Sequence, residues 1–159
     1  MSAPAGFPNV AEILARVLQR VPEPQRPLLV AIAERFAAER YRGWAQRVGS
    51  SEWQDGLLAC ADREEAIARR IESLHANAAS EQRRMRDSYP DLEDINRSVF
   101  AGRPLEQQLA IQAQGERSGA ALWRHLAKAA DDRARETYLE CAQLEEESAR
   151  FLESIAGGS

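Results

Sequence analysis

A chain of 159 residues with 44% hydrophobic and 29% charged residues has an ordinary globular composition, long enough to bury a core without disulfide or metal support. Its net charge of −4 offers no basic field to nucleic acid, and no apolar run approaches membrane-spanning length, so neither kind of partner is expected. Two cysteines, Cys60 and Cys141, sit in helical patterns rather than in a spaced framework, and the opening MSAPAGFPNVAEILARVLQRV lacks the charged start and apolar run of a signal peptide. A reducing, cytoplasmic setting is the expectation.

Ala, Glu, Arg, Leu and Gln dominate and β-branched residues are sparse, which predicts an all-α fold. Met1 to Pro8 reads as a mobile Pro/Gly-rich tail. Asn9 can cap a short helix to Val21, with Val10, Ile13, Leu14, Val17 and Leu18 on one face, as a cover for the main body or for a partner. Pro22, Pro24 and Pro27 break the chain, giving a unit over 1–26 and a helical body over 27–156. Four long helices are predicted: Pro27 to Val48, a second capped by Ser50 or Ser51 and running to His75, Pro104 to Ala130, and a fourth capped by Asp131 or Asp132 that ends near Ile155 before Gly157 and Gly158. Between the second and third, Glu81 to Ser88 and Asp91 to Phe100 read as short helical pieces. The links are short, long, short. That spacing suits a four-helix bundle with one long crossover, and an up-down bundle with a decorated loop stays open beside it.

The chain repeats itself. CADREEAIARRIESL from Cys60 to Leu74 returns as CAQLEEESARFLESI from Cys141 to Ile155, which pairs Glu64 with Glu145, Glu65 with Glu146 and Glu72 with Glu153. ERFAAERYRGWA from Glu34 to Ala45 returns as ERSGAALWRHLA from Glu116 to Ala127, which pairs Arg35 with Arg117, Tyr41 with Trp123 and Arg42 with Arg124. The two offsets agree to within one residue, so 27–75 and 104–156 read as copies of one helical hairpin.

Each helix of that duplication carries a glutamate inside its apolar stripe. The stripes are Val30, Glu34, Ala38, Tyr41, Ala45 and Val48; Leu57, Cys60, Ala61, Glu64, Ile67, Ala68, Ile71 and Leu74; Leu105, Leu109, Glu116, Ala120, Trp123 and Ala127; and Tyr138, Cys141, Ala142, Glu145, Ser148, Ala149, Leu152 and Ile155. An isolated buried carboxylate costs on the order of several kcal/mol. Four together call for protonation, arginine partners or cations, unless some turn outward at the stripe edge. Hard carboxylate oxygens suit iron, manganese and similar divalent ions.

With these residues in view, the chain from Pro27 to Ile155 resembles the ferritin-like superfamily, and its rubrerythrin-like branch in particular. That family's di-iron site takes one Glu from each of two helices and a Glu-x-x-His from each of the other two. The resemblance implies a di-iron or manganese centre held by Glu34, Glu64, Glu116 and Glu145, with Glu34 and Glu116 as the single glutamates. It places Ile67 and Ser148 where the two histidines belong. Both histidines are missing, and shifting the register to Glu65 and Glu146 gives Ala68 and Ala149 and restores neither. The site is then an all-carboxylate metal site or a relic. Glu72 to His75 is a Glu-x-x-His at the helix end without a counterpart in the second copy, so His75 reads as a C-terminal helix residue beside the macrodipole. His125 reads as surface or interface.

Cys60 and Cys141 each precede an inward glutamate by one turn; they read as small core residues or as a soft ligand or redox pair. Tyr41 and Trp123 read as core filler or as neighbours of a metal centre. Two functions follow. One is a ferritin-like di-metal protein reacting with oxygen or peroxide through an external electron donor. The other is a metal-free bundle serving as a structural or interaction module. The apolar short helix suits a homodimer interface in either case.

Overall fold

The computed structural model describes residues 6–156, so most of the expected tail, Met1 to Ala5, and Gly157 to Ser159 lie outside the described residues. The described chain is all-helical, as composition and periodicity lead one to expect. Its α-helices are α1 (Val10–Leu18), α2 (Arg26–Ala45), α3 (Ser51–Glu72), α4 (Ala78–Ser88), α5 (Leu92–Ser98), α6 (Leu105–Ala127) and α7 (Asp132–Ala156), with one 3₁₀ turn over Glu23–Gln25.

The polar residues expected at helix starts do their work locally. Asn9 Oδ1 accepts from the Glu12 amide at 3.1 Å, Ser50 Oγ from Trp53 at 3.3 Å, and Asp131 Oδ1 from Ala134 at 2.9 Å. The far ends close sooner than the apolar pattern predicts. After Glu72 the bonds Leu74 N to Ile71 O and His75 N to Glu72 O are of the i to i+3 kind, so the last turn tightens and α3 ends at Glu72 rather than His75. The same tightening, through Lys128 N to His125 O, ends α6 at Ala127.

Hydrogen-bonded pairs fix the helix directions. Arg63 meets Ser148 and Arg70 meets Glu140, so α3 and α7 run antiparallel. Arg40 meets Gln112 and Trp44 meets Gln108, so α2 and α6 also run antiparallel. Since α2 and α3 form one hairpin and α6 and α7 another, α3 and α6 run the same way. The stretch from Ser73 to Pro104, carrying α4 and α5, makes that return.

The two hairpins are fastened by matching ion pairs. Arg35 holds Glu72, and its repeat equivalent Arg117 holds Glu153; Arg42 holds Glu65, and Arg124 holds Glu146. These pairs are partly exposed, worth about 0.2–1 kcal/mol each, so they set the register of each hairpin more than its stability. They also settle which adjacent glutamate faces in. Glu65 and Glu146 are taken up outside, while Glu64 and Glu145 are buried.

The seams between hairpins are unequal. α3 and α7 pack closely, whereas α2 and α6 stay apart and meet mainly through long side chains. α1 lies against α6, and α5 against α2, so that together they roof the gap. The apolar face of α1 is therefore used within its own chain.

Two mid-helix glycines differ in a way that gives a clean contrast. A Cβ at Gly43 would meet nothing within 4 Å, whereas at Gly56 it would strike the Phe151 ring of α7. Gly43→Ala should therefore raise stability by roughly 0.5–1 kcal/mol through helix propensity. Gly56→Ala should lose that gain and about 1–3 kcal/mol more by pushing α3 off α7. Chemical denaturation of both variants measures this, and equal signs would contradict the packing described.

Candidate metal centre

The apolar core is split in two. One cluster gathers residues such as Leu28, Ile32, Ile67, Ile71, Trp123 and Cys141; the other gathers Tyr41, Trp44, Leu57, Cys60, Leu109 and Leu152. The four stripe glutamates sit at mid-helix between them, all buried, with Glu64 at 0% exposure and Glu116 at 1%. A polar layer of this kind inside four amphipathic helices is held by the packing on both sides of it.

Glu34, Glu64 and Glu145 converge. Each offers a carboxylate oxygen within 4.8 Å of the others, and the group can hold a metal ion. Glu116 stands beside them with a different set of partners. Its Oε1 accepts from the Tyr41 hydroxyl and from Gln112 Nε2 at 2.9 Å, while its Oε2 has no partner. Trp123 Nε1 donates to Glu145 Oε1 at 3.1 Å, so both expected aromatics orient a glutamate as well as fill the core. Neither oxygen of Glu64 meets any N–H or O–H donor.

The electrostatics follow from that burial. Desolvation raises the Glu64 and Glu145 carboxyls well above the usual range, and the neighbouring carboxylates push the same way. Glu34 is raised as well, chiefly by burial, although acid protons shared from Glu64 and Glu145 offset part of it. The nearby cation is Arg40, whose guanidinium is lowered to about 10 by burial although Glu64, Glu116 and Glu34 all favour its charge. One guanidinium facing four carboxyl groups leaves the layer short of positive charge. Without a cation, the layer must hold protons.

The positions expected to carry histidine are otherwise occupied. Ile67 is fully buried in the first apolar cluster. Ser148 is fully buried too, and its hydroxyl accepts from Arg63 Nε at 2.9 Å. Arg63 also reaches Cys60 Sγ at 3.2 Å. Cys60 and Cys141 belong to different apolar clusters, both are free, and burial raises both thiols, Cys141 to about 12. Among the described residues the ligand group contains neither cysteine nor histidine. His125 is exposed, and His75 lies just past the end of α3 with Nε2 buried and unpartnered.

Three contributors escaped the sequence reading. Gln112 lies four residues before Glu116 on the same face, which was a usable signal. Arg40 sits at the edge of its stripe and has no basic equivalent in the second copy, where Leu122 stands. Gly119 is the third: a Cβ there would strike Glu145 Oε1 and come within 2.8 Å of its Cδ. Gly119→Ala should therefore displace the Glu145 carboxyl and cost about 1–3 kcal/mol. An unfolding curve unchanged from that of the parent would show that Glu145 does not occupy that space.

No family model, curated protein or solved structure matches the chain. The geometry of the glutamate layer is therefore the ground for any functional reading. Among the described residues, no helix is long and apolar enough to cross a membrane.

Proposed function

We propose that the chain is a ferritin-like bundle whose core holds a carboxylate-bound di-metal centre of iron or manganese. One observation carries this reading: both oxygens of the fully buried Glu64 lack a donor where Glu34 and Glu145 converge on it. A buried polar group without a partner is costly, and a hard divalent ion satisfies several such oxygens at once. The parallel course of α3 and α6 across a long return, and the matching ion pairs of the two hairpins, support the ferritin-like part of the reading.

In this assignment Glu34, Glu64 and Glu145 hold the first ion, and the free Oε2 of Glu116 is the oxygen left for the second. When bound, such a centre supplies Lewis-acid and one-electron chemistry. The chain's own residues supply the setting. Tyr41 and Gln112 fix the Glu116 carboxylate, Trp123 fixes Glu145, and the two apolar clusters keep water from the layer above and below. Activity toward oxygen or peroxide would draw electrons from an external donor, because both thiols are buried and protonated at neutral pH.

Elemental analysis after expression with iron and manganese supplementation tests the reading. Near-stoichiometric metal that survives desalting, and falls at least tenfold in Glu64→Ala and Glu145→Ala, is the expected result. No retained metal in the parent chain would overturn it. It would favour the metal-free interaction module, a reading supported by the donors that Tyr41, Gln112 and Trp123 already give to Glu116 and Glu145.

A further inference from the structure

Helices α2 and α6 face each other across a gap that neither fills. Beneath α1 and α5 it leaves a cavity of about 160 Å³. The repeat explains the space: Ala33 and Ala37 of α2 stand where α6 has Gly115 and Gly119, and all four line the cavity. Gly119 is small because Glu145 needs the room. Gly115 has no such neighbour. A Cβ there would meet only Val10 Cγ1 at 3.7 Å, an ordinary contact, although glycine inside a helix is costly. The room at Gly115 is therefore not taken up by the chain itself.

The chamber offers carbon over most of its surface. Ile13, Leu14 and Val17 of α1 roof it, together with Ile95 and Val99 of α5. The polar side chains at its floor are turned to one another. Gln112 spends both ends of its amide on Arg40 and Glu116, each at 2.9 Å, and Asn96 takes another Arg40 nitrogen. Glu116 and Glu145 are 1% and 2% exposed, and neither Glu116 Oε2 nor Arg40 Nε can be reached from the chamber by a water-sized group. A water held in such a place needs about two to four polar partners, whereas a dry cavity of roughly 150 Å³ walled by carbon takes up benzene.

We propose that this chamber binds a small uncharged hydrocarbon of about the size of benzene, held by carbon contacts with α1, α5 and the small residues of α2 and α6. A hydroxyl or a charge on such a ligand would give up its water and find little to replace it. The ligand takes no oxygen from the glutamate layer, so it binds whether or not an ion sits there.

The test is NMR titration of the full-length, chelator-treated protein with benzene and with phenol, with intermolecular NOEs recorded from benzene to the protein methyl groups. Benzene should bind at one site, with NOEs to methyls of α1 and α5 such as Leu14, Val17 and Val99, and phenol should bind at least tenfold more weakly. Gly115→Leu fills the chamber from α6 and Ala33→Leu from α2, and each filler that folds should weaken benzene binding at least tenfold. The NOEs place the ligand even if neither filler folds. Absence of saturable benzene binding, NOEs only to methyls elsewhere, phenol bound within tenfold of benzene, or benzene affinity kept within tenfold in a folded filler would each overturn the proposal.

Discussion

In metal-free protein, Glu64→Leu should raise stability, and in metal-loaded protein it should lower it. The parent chain keeps a carboxyl at 0% exposure with no donor to either oxygen. Burying a carboxyl whose oxygens accept nothing costs about 1–3 kcal/mol, more than the roughly 1 kcal/mol returned by the one hydrogen bond its own proton gives Glu34, and leucine has similar volume and no polar atom. For a domain of this length that corresponds to a Tm rise of roughly 2–12 °C. With manganese or iron present the sign reverses. The parent gains stability from whatever binds only its folded form, about 2.7 kcal/mol at a hundredfold excess over Kd, and the variant lacks that gain. Melting curves of both proteins, each with and without metal, decide the matter. A variant that melts lower than the parent in chelator would mean that Glu64 is satisfied by its neighbours and is not waiting for a cation.

The metal-free protein should also lose stability as the pH is raised from about 5 to 8. Glu34, Glu64 and Glu145 all have native carboxyls raised above their unfolded value. Below the unfolded pKa, near the ordinary carboxylate range, both states are protonated and the folded protein keeps its full stability. Between the unfolded and the raised native values, the native state binds more protons than the unfolded chain, so stability falls as pH rises. The slope is about 1.4 kcal/mol per pH unit for each proton retained, and the three groups titrate as one cluster rather than singly. Glu64→Gln should reduce that slope, since one of the retained protons is gone. Metal reverses the dependence, because a cation competes with those protons and binds more tightly as pH rises. A Tm that holds level from pH 5 to 8 in chelator would contradict the protonated layer.

Much of this arrangement was legible from residue spacing. The stripe of α7 is buried at every position from Tyr138 to Ile155 that helical periodicity selected, because a packed antiparallel helix hides one continuous face. The four glutamates stood out because a charged residue interrupts an apolar stripe at the same place in each repeat. All four are buried, as an inward place in the stripe requires, yet only three converge. Glu116 is held aside by Tyr41 and by Gln112, whose place one turn earlier, where the first copy has Val30, is the mark in the sequence that separates it from Glu34. The ends of α3 and α6 were less legible, since a closing 3₁₀ turn carries the same residues as a continuing helix. The cavity was not legible at all. It depends on how far α2 stands from α6, a distance set by α1 and α5 lodging against them from remote parts of the sequence.

The unequal seams have a consequence for how the molecule can change over time. The close α3–α7 contact acts as a spine, and the α2–α6 side is the margin at which the interior is approached. Residues of α1 and α5 guard that margin while supplying none of the three converging carboxylates. Substitutions at the chamber-facing positions of the guarding helices can therefore reshape what enters, and leave the three converging glutamates and the Tyr41 and Trp123 donors where they are. Selectivity and binding chemistry are carried by different parts of the chain, and each can vary without dismantling the other.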